Sequence, residues 1–162
     1  MKILIVIPAR MASTRFPNKP MALINKKPMI LHVWERAKES NLGKVLVACC
    51  EQDVANCIRS AGGEAILTDP NLPSGTDRVY AAIENDDDFL LNDTIINLQG
   101  DMPLIDALSI DQINKTIIQG YDMSTLVASF SSEKEKKNKN ITKAKIKWIK
   151  KEKIGEALDF YK

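Results

Sequence analysis

The sequence has little histidine and little cysteine. His32 is its only imidazole, and Cys49, Cys50 and Cys57 fall in no zinc-ligand spacing. Three closely spaced thiols make a poor disulfide framework, so reduced, buried thiols are expected. No apolar run approaches the roughly 20 residues that a membrane span requires. The N-terminal apolar run ends at Pro8-Ala9-Arg10, too short for a secretory signal core. These absences predict a soluble, cytoplasmic protein with no membrane partner. Both G-x-x-x-x-G-K-[ST] and G-x-G-x-x-G are missing as well. Net charge is small, +2, but uneven: residues 132–153 hold ten Lys against three Glu, +7, leaving −5 on the rest. Such a stretch is either an anion-contacting surface or a solvated edge. The solvated edge is the reading adopted, and no nucleic-acid partner is expected.

What is present alternates. Residues 3–7, 45–49, 64–68, 94–98 and 123–130 are short apolar, β-branched runs that read as strands. Between them, residues 29–40, 52–61, 76–84 and 107–119 carry helical periodicity, with Pro28 placed at a first helical position and Gly62-Gly63 as a stop. Strand–helix alternation at this spacing implies parallel βαβ units and an α/β fold, a three-layer α/β/α sandwich. After residue 131 the pattern changes. Residues 133–143 read as a mobile charged loop, and 145–150 as a half-buried strand. Gly155 then turns the chain into a pairing segment over 157–161. The organisation expected is a core over 1–131 and a second, basic region over 132–162. The chain stops directly after an apolar segment, so either the fold ends on an edge strand or the reading frame is a fragment.

In an open α/β sheet, ligands sit outside the carboxyl ends of the strands. Three polar loops are expected there, over 8–20, 71–78 and 99–103. The first gathers Arg10, Arg15 and Lys19 within ten residues. Clustered cations repel unless an anion neutralises them, and a triphosphate with about four negative charges is a natural one. A solvated basic loop is the alternative. In the third loop, Gly100 lets backbone approach a ligand, and Asp101 is either a Mg²⁺ ligand or a turn aspartate. In the second loop, Ser74 or Thr76 can cap the following helix, while Gly75 suits contact with a flat base.

Together these residues resemble the 3-deoxy-D-manno-octulosonate (Kdo) cytidylyltransferases. Residues 7–20 (IPARMASTRFPNKP) are similar to that family's N-terminal signature, and Lys27-Pro28-Met29-Ile30, Ser74-Gly75-Thr76-Asp77-Arg78 and Asn97-Leu98-Gln99-Gly100-Asp101 match further signatures in order. The resemblance runs from Ile3 to about Phe130, and more weakly to Lys162. It implies a Rossmann-like nucleotidyltransferase sheet, of nucleotide-diphospho-sugar transferase type. It also implies CMP transfer from CTP to Kdo with Mg²⁺ as cofactor, for lipopolysaccharide biosynthesis. A weakly active CTP-binding fragment, or an enzyme for another acidic sugar, is the alternative. Carried over by residue, Arg10 and Lys19 neutralise the triphosphate, with Arg15 close to the reacting groups. Pro8, Ala9 and Ser13 join the nucleotide contacts. Ser74, Gly75 and Arg78 contact cytidine, Gln99 faces the sugar acid or base, and Asp101 ligates Mg²⁺.

There are departures. Met102 stands where the family has Glu, and Lys162 where it has Arg. Cys49-Cys50 replaces a Thr-Asp pair, removing a polar strand end. Family members also continue further, into a segment that supplies much of the sugar-acid pocket, a second metal-binding Asp and homodimer contacts. Poor turnover by residues 1–162 alone is therefore expected.

If the first loop is the anion site, Arg10→Ala or Lys19→Ala weakens triphosphate binding about tenfold or more, the loss of one charge-assisted hydrogen bond. Lys147→Ala, in the basic stretch, changes it little. Calorimetric titration of the three variants checks the order, and a dominant Lys147 moves the anion site to the second region.

Overall fold

The computed structural model describes residues 2–12, 16–84, 91–150 and 154–162. It divides into two compact units, Met1–Ser124 and Thr125–Lys162. The sequence reading placed this change after residue 131.

The first unit is built on β1 (Ile3–Ala9), which is buried along its whole length. Seven apolar residues without a polar interruption are what a strand covered on both faces requires. β1 pairs in parallel with β4 (Lys44–Cys49), from Leu4↔Lys44 to Ala9↔Cys49. On its other side it pairs in parallel with β6 (Thr94–Asn97), from Ile3↔Thr94 to Val6↔Asn97. β5 (Glu64–Leu67) extends the sheet beyond β4, giving the order β5-β4-β1-β6. A small antiparallel ribbon, β2 (Leu23–Ile24) with β3 (Lys27–Pro28), lies outside this sheet. Its turn holds Asn25 and Lys26 at φ 49° and 65°, as a two-residue hairpin that follows strand twist requires.

Alternation along β1 sorts its side chains into two layers. Ile3, Ile5, Ile7 and Ala9 pack with α1 (Met29–Glu39), α2 (Gln52–Ser60) and Ile110 of α4 (Ala107–Ile118). Leu4 and Val6 pack with Leu46, Ala48 and α3 (Gly75–Glu84) on the other face. The expected three-layer α/β/α arrangement with a parallel sheet is therefore present. Pro28, expected as the first helical residue of α1, is its N-cap with extended backbone, and the helix begins at Met29.

Residues 123–130, expected as a strand, join no ladder among the described residues. Apolar side chains alone do not make a strand, because its backbone needs a hydrogen-bonding partner. Met123 is accordingly 89% exposed.

In the second unit, part of the expected mobile loop is α5 (Glu133–Lys137). Ser132 caps it by accepting from the Glu135 N–H at 3.2 Å, and the Glu135 carboxylate returns to the Ser131 N–H at 2.6 Å. The spacing Ser-x-x-Glu is a capping-box signal that the charge of the segment obscured. β7 (Lys143–Lys150) and β8 (Ile154–Tyr161) form an antiparallel pair. Gly155 lies inside β8 opposite Trp148 and is not the turn; a Cβ there would come within 2.4 Å of the Ile146 side chain. The strand expected over 145–150 was to be half-buried, yet Trp148 and Ile149 in it are exposed. Lys143 is buried, and its ammonium donates to the carbonyls of Asn138 at 2.8 Å and Ile141 at 3.1 Å. Among the described residues no helix is long and apolar enough to cross a membrane.

Ile58 of α2 is fully buried between its helix and the sheet. Ile58→Ala is expected to cost about 2–5 kcal/mol, the usual range for emptying such a core position. Urea denaturation of the two proteins measures it.

Candidate active site

The strand order fixes where a ligand can enter. From β1 the chain moves to β4 and β5 on one side, then returns to place β6 on the other. The topological switch therefore lies between β1 and β6, and the crevice beyond their carboxyl ends is the natural binding position. β6 pairing stops at Val6↔Asn97, while β4 follows β1 to Ala9. Pro8 has no N–H to give a ladder, and it sits where β6 has already stopped pairing.

The expected loops meet at this crevice. Gly100 passes so close to β1 that a Cβ would lie 2.6 Å from the Pro8 carbonyl oxygen. At Gly75 a Cβ would stand 3.4 Å from the Pro8 ring and 3.5 Å from Gln99 Oε1. Lys19, from the first loop, donates to Asp101 Oδ2 at 2.6 Å, although 82 residues separate them. That bond joins the candidate triphosphate cation to the candidate metal ligand.

The remaining candidates are distributed unevenly. Pro8 and Ala9 are buried at the end of β1, while Arg10 is exposed just beyond it. Ser13 and Arg15 lie outside the described residues. Ser74 caps α3: its Oγ accepts from the Asp77 N–H at 3.1 Å and donates to the Asp77 carboxylate. Thr76, the other candidate cap, instead accepts from Asn97 Nδ2 at 3.3 Å, and Asn97 Oδ1 accepts from Gln99 Nε2 at 3.1 Å. Gln99 is thus oriented through Asn97 by the start of α3. Arg78, expected to meet cytidine, is 1% exposed. Its Nη1 donates to Thr68 Oγ1, while Nη2 is buried with no partner among the described residues. Thr68 in turn donates to the Cys49 carbonyl at 3.0 Å.

Sequence reasoning missed Glu51. The pair Cys49-Cys50 was expected to leave the end of β4 without polar character. Glu51 follows at once, as the N-cap residue of α2, and returns a carboxylate to that place. Its Oε1 accepts from the Met11 N–H at 2.8 Å and from the Cys50 thiol at 3.0 Å. The available signal was a polar residue directly after a strand end, which the two sulfurs masked. Burial pushes the Cys49 thiol up to about 11, assisted by the Glu51 charge. Burial, with the hydrogen bond to Glu51, also pushes Cys50 to about 11. Both are reduced, and Cys50 is a stable donor at neutral pH.

Among the described residues no group of three or more His, Cys, Asp or Glu side chains is placed to hold a metal. Asp101 is a single carboxylate. With Oδ2 on Lys19, it fits at most a Mg²⁺ ion that would take most of its oxygens from phosphate and water.

Residues 4–157 match the model of a family described as cytidylyltransferase. The chain belongs to that family. It is 45% identical over 159 residues to a 3-deoxy-manno-octulosonate cytidylyltransferase of Rhodospirillum rubrum, covering 97% of this chain and 63% of the relative. To the protein of that name from Parvibaculum lavamentivorans it is 49% identical over 142 residues, covering 87% of this chain and 55% of the relative. A solved structure of CMP:2-keto-3-deoxy-manno-octonic acid synthetase complexed with CTP superposes with a TM-score of 0.83 at 30% identity. That match covers 99% of this chain and 64% of the solved one. A cytidylyltransferase structure from Leptospira borgpetersenii gives a TM-score of 0.62 at 26% identity, over 75% of this chain and 51% of that one. The chain thus spans less than two thirds of these relatives' length.

The thiols supply a pH prediction. The folded state holds the Cys49 and Cys50 protons more tightly than the unfolded state does, so unfolding releases protons above the ordinary value of 9.0. Stability is expected to be constant through neutral pH and to fall as pH rises from 9.0 towards about 11. Both thiols should also resist iodoacetamide at pH 7.5. Denaturation midpoints across that range, with mass-spectrometric alkylation, check this.

Proposed function

We propose that this chain supplies the CTP site of an enzyme that transfers CMP to Kdo and releases pyrophosphate. The observation that carries the reading is the junction of Lys19 with Asp101 beside the close approach of Gly100 to Pro8, at the switch between β1 and β6. A cation, a carboxylate and bare backbone at one crevice are what binding of a triphosphate with a divalent metal ion calls for, and this supports the reading. The 45% identical relative is a Kdo cytidylyltransferase by name, and the solved neighbour is a synthetase complexed with CTP.

In the reaction, an anomeric hydroxyl oxygen of the sugar acid attacks the α-phosphorus of CTP in line. The new O–P bond forms as the bond to the β-phosphate oxygen breaks, and pyrophosphate leaves with that electron pair. The hydroxyl proton passes to solvent. Little covalent chemistry falls to the protein, so its work is positioning and charge stabilisation. Arg10 and Lys19 hold the triphosphate. Arg78, whose Nη2 has no partner among the described residues, is assigned to the cytosine side with Ser74 and Gly75. Gln99, oriented through Asn97, faces the sugar acid or the base. Asp101 would hold Mg²⁺, which when bound would supply positive charge against the phosphates. Homodimerisation and a role in lipopolysaccharide biosynthesis belong to the same proposal.

Calorimetry with CTP, ATP and GTP in the presence of Mg²⁺ tests the reading. CTP is expected to bind tighter than either purine nucleotide by about tenfold or more, at least 1.4 kcal/mol. Equal affinities, or none, overturn it.

A further inference from the structure

We infer that Glu51 is a positioning residue for the triphosphate loop. It acts by fixing the Met11 peptide and, through it, both cations that flank the loop. The inference rests on the proposed CTP site and adds a residue that the site's own motifs do not contain.

The Met11 backbone is held on both sides of its Cα. Its N–H donates to Glu51 Oε1 at 2.8 Å, and its carbonyl accepts from the Asn18 N–H at 3.0 Å. The first bond reaches across 40 residues to the β4–α2 junction. The second closes the loop on itself immediately before Lys19, with Asn18 in the left-handed region at φ 57°. Met11 directly follows Arg10, and Asn18 directly precedes Lys19. A displacement of the Met11 peptide therefore moves Arg10 through the chain and Lys19 through the Asn18 bond. Misplacement of about 1 Å can cost on the order of 100-fold in such sites.

Glu51 is itself well anchored. Its backbone carbonyl opens α2 by accepting from the Ala55 N–H at 3.2 Å. A carboxylate at a helix N-terminus is favoured by the helix dipole. The Cys50 thiol donates to the same Oε1 at 3.0 Å, which fixes the carboxylate's rotation. Oε2 is buried with no hydrogen-bond partner among the described residues. Shielding one carboxylate oxygen from water is costly, and the two bonds accepted by the other oxygen help to offset it. Moreover, no side-chain cap bond is made to α2. The polar bonds of this side chain go to the loop and to the thiol beside it.

The test compares Glu51→Ala and Glu51→Gln with the wild-type chain, by amide hydrogen exchange and by calorimetry with CTP and Mg²⁺. Glutamine keeps an acceptor oxygen for Met11 and Cys50, whereas alanine removes it. Glu51→Ala is expected to speed Met11 exchange and weaken CTP binding about tenfold, while the amides of β1 and β4 stay protected. Glu51→Gln is expected to restore most of both. Unchanged Met11 exchange in Glu51→Ala, or faster exchange with unchanged affinity, overturns the inference. So does a Glu51→Gln protein that folds, protects Met11 and still binds as poorly as alanine. If the wild-type chain binds no CTP, the reading of the crevice fails, and Met11 exchange still decides whether Glu51 holds the loop.

Discussion

The contact between Gly100 and the Pro8 carbonyl governs the rest of the architecture. β1 lies between β4 and β6, and its core-facing residues are fixed by packing on both faces. Its carboxyl end therefore cannot drift, and whatever touches that end inherits its position. Gly100 touches it at a distance no side chain allows, and Gly75 packs against the same proline. Three loops far apart in sequence are thereby brought to one place by a strand buried along its whole length. Sites built on such elements are held more accurately than sites carried on loops alone. The early end of β6 pairing completes the arrangement, because it opens the crevice on the side where the strand order reverses.

Most of this was legible in the sequence because the physics involved is local. A strand buried on both faces announces itself as an unbroken apolar run, and β1 is such a run. The helices facing it carry apolar residues at helical spacing, as Ile30, Val33, Trp34 and Ala37 do. Where an outcome depended on partners, the reading failed. Residues 123–130 have strand composition but join no ladder among the described residues, and α5 was hidden because its charge outweighed its cap. Gly155 looked like a turn and proved to be a close approach inside β8. Position in a sheet, unlike membership of a strand, is not written in a short window of residues.

The site shows the same division. The described residues of the motifs lie at the strand ends, as expected, yet their hydrogen-bonding roles did not follow from the motifs. Ser74 is occupied as a cap, Thr76 supports Asn97, and Arg78 is buried against Thr68. Glu51 belongs to no motif and reaches the loop from a different βα unit. Motifs identify side chains that meet a ligand more readily than those that hold them. The latter act through backbone atoms, and many residue types can supply one acceptor oxygen.

The pairing of Lys19 with Asp101 bears on how such a crevice can be stable without ligand and receptive to it. Asp101 offsets the positive charge of Lys19, to which it is bonded. The pair is partly exposed, with side chains 35% and 52% accessible, so solvent screens it. Exposed ion pairs of this kind contribute about 0–1 kcal/mol. Breaking it therefore costs little against the charge-assisted bonds a triphosphate would form, each worth about 1.5–3 kcal/mol. On the function proposed above, a nucleotide arriving with a divalent cation would supply both new partners at once, phosphate oxygen for Lys19 and metal for Asp101. Had the pair been buried, removing its partners would have cost several times more, about 3–5 kcal/mol, and the crevice would resist opening. Modest exposure at this point therefore suits the site, since the same two charges can hold each other or hold a ligand.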